Sequence, residues 1–163
     1  MIDSRRMTVS NEREIVVFLI GMRVNKWWRF WEWLGVAAAM SRMMKELAAR
    51  PAAGLLHFES FLGNPGLMVQ YWESTEKLLA YAHDRAGEHH PAWAAFNKKV
   101  ARTGSVGIWH ETYQVSAGRF ECIYHQMTPF GLGRALGTVP AIGKRSKAKD
   151  RLAGDPVTAA HAA

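Results

Sequence analysis

The order in which helical and strand-like periodicities follow one another leaves this chain few folds. Residues 14–23 are a short, nearly continuous β-branched run (Ile15, Val16, Val17, Phe18, Leu19, Ile20), which suits a strand buried on both faces. Residues 27–49 hold no Pro and one Gly, and Trp27, Trp31, Leu34, Ala38 and Met40 recur near helical spacing. Arg50-Pro51 ends this helix, because a residue before proline avoids the helical region. Residues 54–62 and 67–73 read as two strands. Gly63-Asn64-Pro65-Gly66 between them is hairpin turn chemistry. Ser74 is a helix N-cap for a stripe of Leu78, Leu79, Tyr81 and Ala82 that runs to about Ala86. Pro91 then opens a further helical piece, 92–101. Residues 106–115 alternate as a strand, and residues 120–127 read as a last one after the Ser116-Ala117-Gly118-Arg119 turn.

The order is β-α-β-β-α-β plus an extra strand, the ferredoxin-like split βαβ arrangement. The fold class is therefore α+β, one antiparallel sheet with both helices on one face. Trp72, Trp109, Phe58, Phe61, Tyr113 and Met68 are too many large apolar side chains for one helix–sheet layer. A second copy packed sheet to sheet covers the rest, so the expectation is a homodimer forming a dimeric α/β barrel. The alternative is that the last strand and the C-terminal segment fold back over the sheet. The expected layout is a loose arm at 1–13, the barrel domain at 14–127, a Gly-rich flap at 128–140 and a basic, unstructured tail at 141–163.

Composition narrows the function classes. The chain has 163 residues and a formal net charge of +7. Residues 23–50 carry six basic and two acidic groups, residues 141–163 carry five and two, and residues 51–140 carry seven of each. The excess thus sits on the Trp-rich helix and the tail, which argues against specific nucleic-acid binding and describes attraction to any anionic surface. No apolar run approaches the roughly 20 residues that span a bilayer. Residues 1–20 lack a signal-peptide layout. The single cysteine, Cys122, excludes an internal disulfide framework and a Cys-rich zinc site. A cytoplasmic protein is the default expectation. Gly131-Leu132-Gly133-Arg134-Ala135-Leu136-Gly137 has the wrong spacing for a dinucleotide loop, so no flavin or nicotinamide motif is present.

A set of segments carries a resemblance. They are Ile20-Gly21-Met22-Arg23-Val24-Asn25, Val69-Gln70-Tyr71-Trp72, His89 with Ala92-Trp93-Ala94-Ala95-Phe96-Asn97, Gly107-Ile108-Trp109-His110-Glu111-Thr112-Tyr113 and Pro129-Phe130-Gly131-Leu132-Gly133-Arg134. Over roughly residues 14–140 the chain resembles a monooxygenase-like family, related to a monooxygenase of the fumagillin pathway, within the antibiotic-biosynthesis group of dimeric α/β barrels. The resemblance implies the fold, a homodimer and a small monooxygenase acting on an apolar or aromatic substrate between sheet and helices. Some cofactor-independent members of the wider group use an Asn, a Trp and a His together. On that basis Asn25 would stabilise developing negative charge, His89 would move protons, and Trp72 and Trp109 would shape the pocket.

Other residues are read from the pattern. Glu111, between Trp109 and Tyr113 on one strand face, is either a buried functional carboxylate or is hydrogen-bonded to Arg23 or a tyrosine. His110 points to the opposite face, so it cannot pair directly with Glu111, while His57 and Glu59 share a face. Phe130 lies in the flap that closes over the pocket. Four tryptophans at 27, 28, 31 and 33 cannot all face one side of a helix. The expectation is that Trp27, Trp31 and Leu34 pack on the sheet and Trp28 covers a neighbour, with weak membrane-surface contact as the alternative. Two further functional readings stay open: a haem-binding protein with His89 as axial ligand, and a non-catalytic ligand-binding or membrane-associating dimer. The cofactor is otherwise unknown.

Overall fold

The computed structural model describes residues 4–10 and 12–153. The main sheet holds β2 (Ile15–Val24), β3 (Leu55–Phe61), β4 (Leu67–Trp72) and β5 (Val106–Val115) in the order β3-β4-β2-β5. Every neighbouring pair is antiparallel. Taken in chain order these strands lie 2-3-1-4, the ferredoxin-like arrangement expected from the element order. The Asn64 side chain fastens the β3–β4 turn to the end of β2, accepting from Val24 N at 2.8 Å and donating to Val24 O at 3.1 Å.

Register sorts the side chains. Val16 pairs with Trp72 and Gln114, Phe18 with Gln70 and Thr112, and Ile20 with Met68 and His110. Paired residues share a face, and this set faces the helices. The main core joins Val16 and Trp72 to Met44 and Leu47 of α1 (Phe30–Ala49) and to Leu78 and Tyr81 of α2 (Thr75–His83). Ser74 caps α2 as expected, accepting from Lys77 N at 3.3 Å. Then come α3 (His89–Ala95), a wider π-type turn over Phe96–Val100 and a 3-10 turn to Thr103. This stretch runs antiparallel to α1, with Glu88 ion-paired to Arg42 at one end and the Thr103 hydroxyl 2.8 Å from Glu32 at the other.

Several expectations are corrected. Residues 120–127 do not form a strand; Tyr124 makes one isolated bridge to Met7. The reason is that this segment pairs with the arm instead of the main sheet. Met7–Thr8 (β1) forms a two-stranded ladder with Val139–Pro140 (β6), and Met7, Val9 and Tyr124 make a second small core. The Thr8 hydroxyl donates to Cys122 O at 2.7 Å. The described part of the arm is therefore anchored. The segment read as a flap contains α4 (Leu132–Leu136), which packs on β3. The described part of the basic segment is also folded: α5 (Ala148–Leu152) carries Arg151, whose buried guanidinium binds Glu121 at 2.6 Å. The rest of that segment, residues 154–163, lies outside the described residues.

The Trp-rich helix starts at Phe30, not at residue 27. Asn25 N and Lys26 N both donate to Ser105 O, which holds the chain in a turn there. Trp27 (56% exposed), Trp31 (59%) and Leu34 (49%) do not pack on the sheet, because Met40, Met43, Met44 and Leu47 occupy the sheet-facing side. Trp28 is 70% exposed, while Trp33 donates to Trp27 O at 3.2 Å. Among the described residues no helix is long and apolar enough to cross a membrane.

Candidate functional site

His89 opens α3, where it meets α2 and the C-terminal half of α1. Its ring lies 6.1 Å from that of Tyr81, which in turn lies 5.8 Å from Trp72. His89 Nδ1 is buried and has no hydrogen-bond partner, which is costly unless something else binds it. Beneath it, Trp72 Nε1 donates to Gln70 Oε1 at 2.9 Å, and Gln70 Nε2 is left to the thioethers of Met68 (3.3 Å) and Met44 (3.8 Å). Glu46 Oε2 accepts from the Tyr81 hydroxyl at 3.1 Å and from Glu88 N at 3.0 Å, while Arg50 holds Oε1 at 3.0 Å. Burial works to raise the Glu46 pKa, but the Glu88 amide, the Tyr81 hydroxyl and Arg50 outweigh it and keep the carboxyl below its ordinary range. Burial, then the Glu46 carboxylate, pushes the Tyr81 phenol up. Beside this group opens a cleft of about 480 Å³ lined by Arg42, Lys45, Glu46, Ala86, Gly87, Glu88 and Pro91. Trp93, four residues beyond His89 and thus on the same helix face, is 48% exposed and stacks on Phe96 at 5.6 Å.

Asn25 is elsewhere. Its carboxamide donates to Gly104 O at 3.3 Å, next to the Ser105 carbonyl that accepts from its own backbone N–H. Glu32 of α1 adjoins Ser105 and Glu46 adjoins Glu88, so the Asn25 and His89 ends are separated by about 20 Å of helix. The two cannot act on one substrate atom within a chain.

The Asn25 end has its own polar centre. Glu32 binds Arg29 Nε at 2.9 Å and the Ser105 and Thr103 hydroxyls, and its side chain is 10% exposed. Arg29 first, then Ser105, hold its pKa down from 4.5 to about 2. The unfolded chain therefore binds the extra proton between those values. The contribution to stability is complete above about pH 4.5 and disappears as pH falls through about 2. Glu32→Gln is expected to flatten the fall in thermal midpoint between pH 5 and pH 2.5, measured by circular dichroism; an unchanged pH profile would contradict this.

The sheet itself divides the remaining candidates. Trp72 pairs with Val16 and faces the helices, only 1% exposed, as a core side chain. Trp109 pairs with Gly21, Glu111 with Leu19, Tyr113 with Val17 and Gly107 with Arg23, all on the opposite, helix-free face. Trp72 and Trp109 thus do not shape one pocket in a chain. Glu111 is exposed and accepts from Tyr113 Oη at 2.6 Å, so the tyrosine partner is the one realised rather than Arg23, itself exposed. Phe130 meets Phe61 edge-on at 6.2 Å on this side.

A family model described as Monooxygenase af470-like matches residues 15–132, which run from β2 into α4. The chain belongs to this family. Among relatives of the af470-like chain, "Monooxygenase af470" of Aspergillus fumigatus is 27% identical over 135 residues, covering 74% of this chain and 46% of that protein. The chain therefore spans about half the length of that relative. Of solved structures, SnoaB, a cofactor-independent oxygenase from Streptomyces nogalater, is 12% identical with a TM-score of 0.45, covering 61% of this chain and 91% of that one. A dimeric ferredoxin-like protein from an uncultured marine organism is 14% identical with a TM-score of 0.41, covering 64% and 96%.

Sequence reasoning did not single out Glu46, Gln70, Tyr81 or Glu32. Gln70 carried a signal: it interrupts an otherwise apolar helix-facing series, Met68-Gln70-Trp72, and a buried amide needs partners. Glu46 and Glu32 carried only their local spacings to Arg50 and Arg29, because their other partners Tyr81, Glu88 and Ser105 lie far along the chain.

Proposed function

We propose that this chain is a small monooxygenase whose substrate is apolar or aromatic and binds at the cleft beside His89. The observation that carries the reading is the His89 imidazole, whose Nδ1 is buried and unpartnered, between Glu88 and Pro91 of the cleft lining and one turn before the Trp93–Phe96 stack. Membership of the af470-like family supports the reaction class. His89 takes a proton from the substrate, leaving an electron-rich anion for reaction with dioxygen. Tyr81 and the anchored Glu46 hold the imidazole in place from below, and Arg42 and Lys45 stabilise negative charge at the rim. Asn25 serves as a loop clamp, through its bond to Gly104.

A second copy is proposed to cover the β2–β5 half of the helix-free face, where Val17, Leu19 and Trp109 are only partly buried and Tyr113 is 50% exposed.

The test is oxygen uptake with a panel of electron-rich polycyclic phenols. His89→Ala is expected to lower turnover by about a hundredfold or more. Asn25→Ala is expected to stay within about threefold of wild type, as a distant site should. Unchanged turnover in the Asn25→Ala, His89→Ala double variant would overturn the assignment.

A further inference from the structure

On the other side of the sheet, β3 carries a second acid–base group. His57 Nε2 lies 2.9 Å from Glu59 Oε1, the two being alternate residues on the helix-free face. Glu59 is fixed from three directions: by His57, by the Gly131 N–H at 3.3 Å and by the Arg134 guanidinium at 3.8 Å. The bond from His57 comes first in holding its carboxyl below the ordinary range, against the opposing effect of burial. An ionised, anchored carboxylate at Nε2 selects the imidazole tautomer with its proton there. Nδ1 is then the basic nitrogen. The side chains are 21% and 18% exposed, shielded yet reachable.

The surroundings are aromatic and shaped by the backbone. Phe61 and Phe130, both more than 40% exposed, form an edge-on pair on the same side of the sheet. Gly131 has φ +50°, and a Cβ there would lie 2.8 Å from Tyr71 Oη, so only glycine brings α4 this close. The titratable and charged groups that face the dyad are Tyr71 from β4 and Arg134 from α4. Tyr71 is raised by burial, then by the Glu59 charge, and stays neutral.

We propose that His57, held by Glu59, is a second proton-transfer site, distinct from the His89 cleft, that binds a small aromatic molecule carrying an acidic hydroxyl. The phenolic O–H bond breaks, its proton passes to His57 Nδ1, and the electron pair stays on the phenolate oxygen. Glu59 stabilises the imidazolium, and Arg134 supplies positive charge near the phenolate. No electron is transferred. The exposed Phe61–Phe130 pair offers a flat ring an aromatic surface, and the dyad with Arg134 matches its hydroxyl.

The probe is 2-naphthol, whose naphtholate absorbs at longer wavelength than the neutral form. Added to the full chain at pH 7, it is expected to give a naphtholate band that saturates with protein. His57→Gln and Glu59→Gln should each reduce that band about tenfold, the equivalent of one pKa unit. In a His89→Ala background, where the monooxygenase cleft is silenced, a His57-dependent band should remain, which separates this site from that cleft. Circular dichroism of each variant checks that the fold is retained. Absence of a naphtholate band with the wild-type chain, or an equal band in a folded His57→Gln variant, would overturn the proposal. So would loss of the band in His89→Ala alone.

Discussion

Replacing Trp72 by alanine is expected to cost about 3–5 kcal/mol of stability, the range for truncating a buried aromatic. Trp72 is 1% exposed at the centre of the helix–sheet core, against Val16, Met44, Leu47, Leu78 and Tyr81. Its loss leaves a cavity and takes the donor from Gln70 Oε1. With total stabilities of about 5–15 kcal/mol for ordinary domains, such a variant is close to unfolding. Trp72→Phe separates the two effects: most of the volume remains, and only the hydrogen bond to Gln70 is lost, for about 1–3 kcal/mol. Urea titrations of the three proteins check the order. If Trp72→Ala lay within about 1 kcal/mol of wild type, well under the usual cost of such a truncation, Trp72 would not be the centre of the core.

A glycine pair tests the backbone with opposite signs. A Cβ on Gly21 would stand 2.0 Å from Gly66 O and 2.6 Å from Trp109 Nε1. Trimming Trp109 removes one obstacle but not the Gly66 carbonyl, so β2 itself must move. Gly21→Ala is expected to destabilise by about 3 kcal/mol, and the Gly21→Ala, Trp109→Ala double variant should not recover it. Gly35, in the interior of α1, meets nothing within 4 Å. Gly35→Ala should stabilise by roughly 0.5–1 kcal/mol, because alanine loses less backbone freedom in a helix. Thermal or urea midpoints moving in the same direction for both single variants would contradict the packing of the helix-free face.

The main sheet was legible in the chain because each of its strands is a local signal. Alternation, the Gly63-Asn64-Pro65-Gly66 turn, the Ser74 cap and Arg50-Pro51 each act within a few residues. The pieces that were misread are those whose partners are distant. Phe120–Met127 looks like a strand by composition, yet its edge is taken by Met7, more than a hundred residues earlier. Arg151 looks like one more charge on a basic tail, until Glu121 draws it into a buried ion pair. The tryptophans of residues 27–31 looked like core by hydrophobicity, but Met40, Met43 and Met44, further along α1, take its sheet-facing side.

The candidate site divides in the same way. Family membership and fold follow from the sequence, since the conforming segments run continuously from β2 into α4. Strand alternation alone also puts Trp109, Glu111 and Tyr113 on one face. Only the tertiary structure decides which residues meet. Register sends Trp72 and Trp109 to opposite sides of the sheet, and the length of α1 holds Asn25 and His89 apart. The same packing brings Glu46 to Tyr81, and Gly131 to Glu59. Periodicity is a property of neighbouring residues and survives in the sequence; a site is made by contacts between segments dozens of residues apart, and those exist only once the sheet and helices have packed.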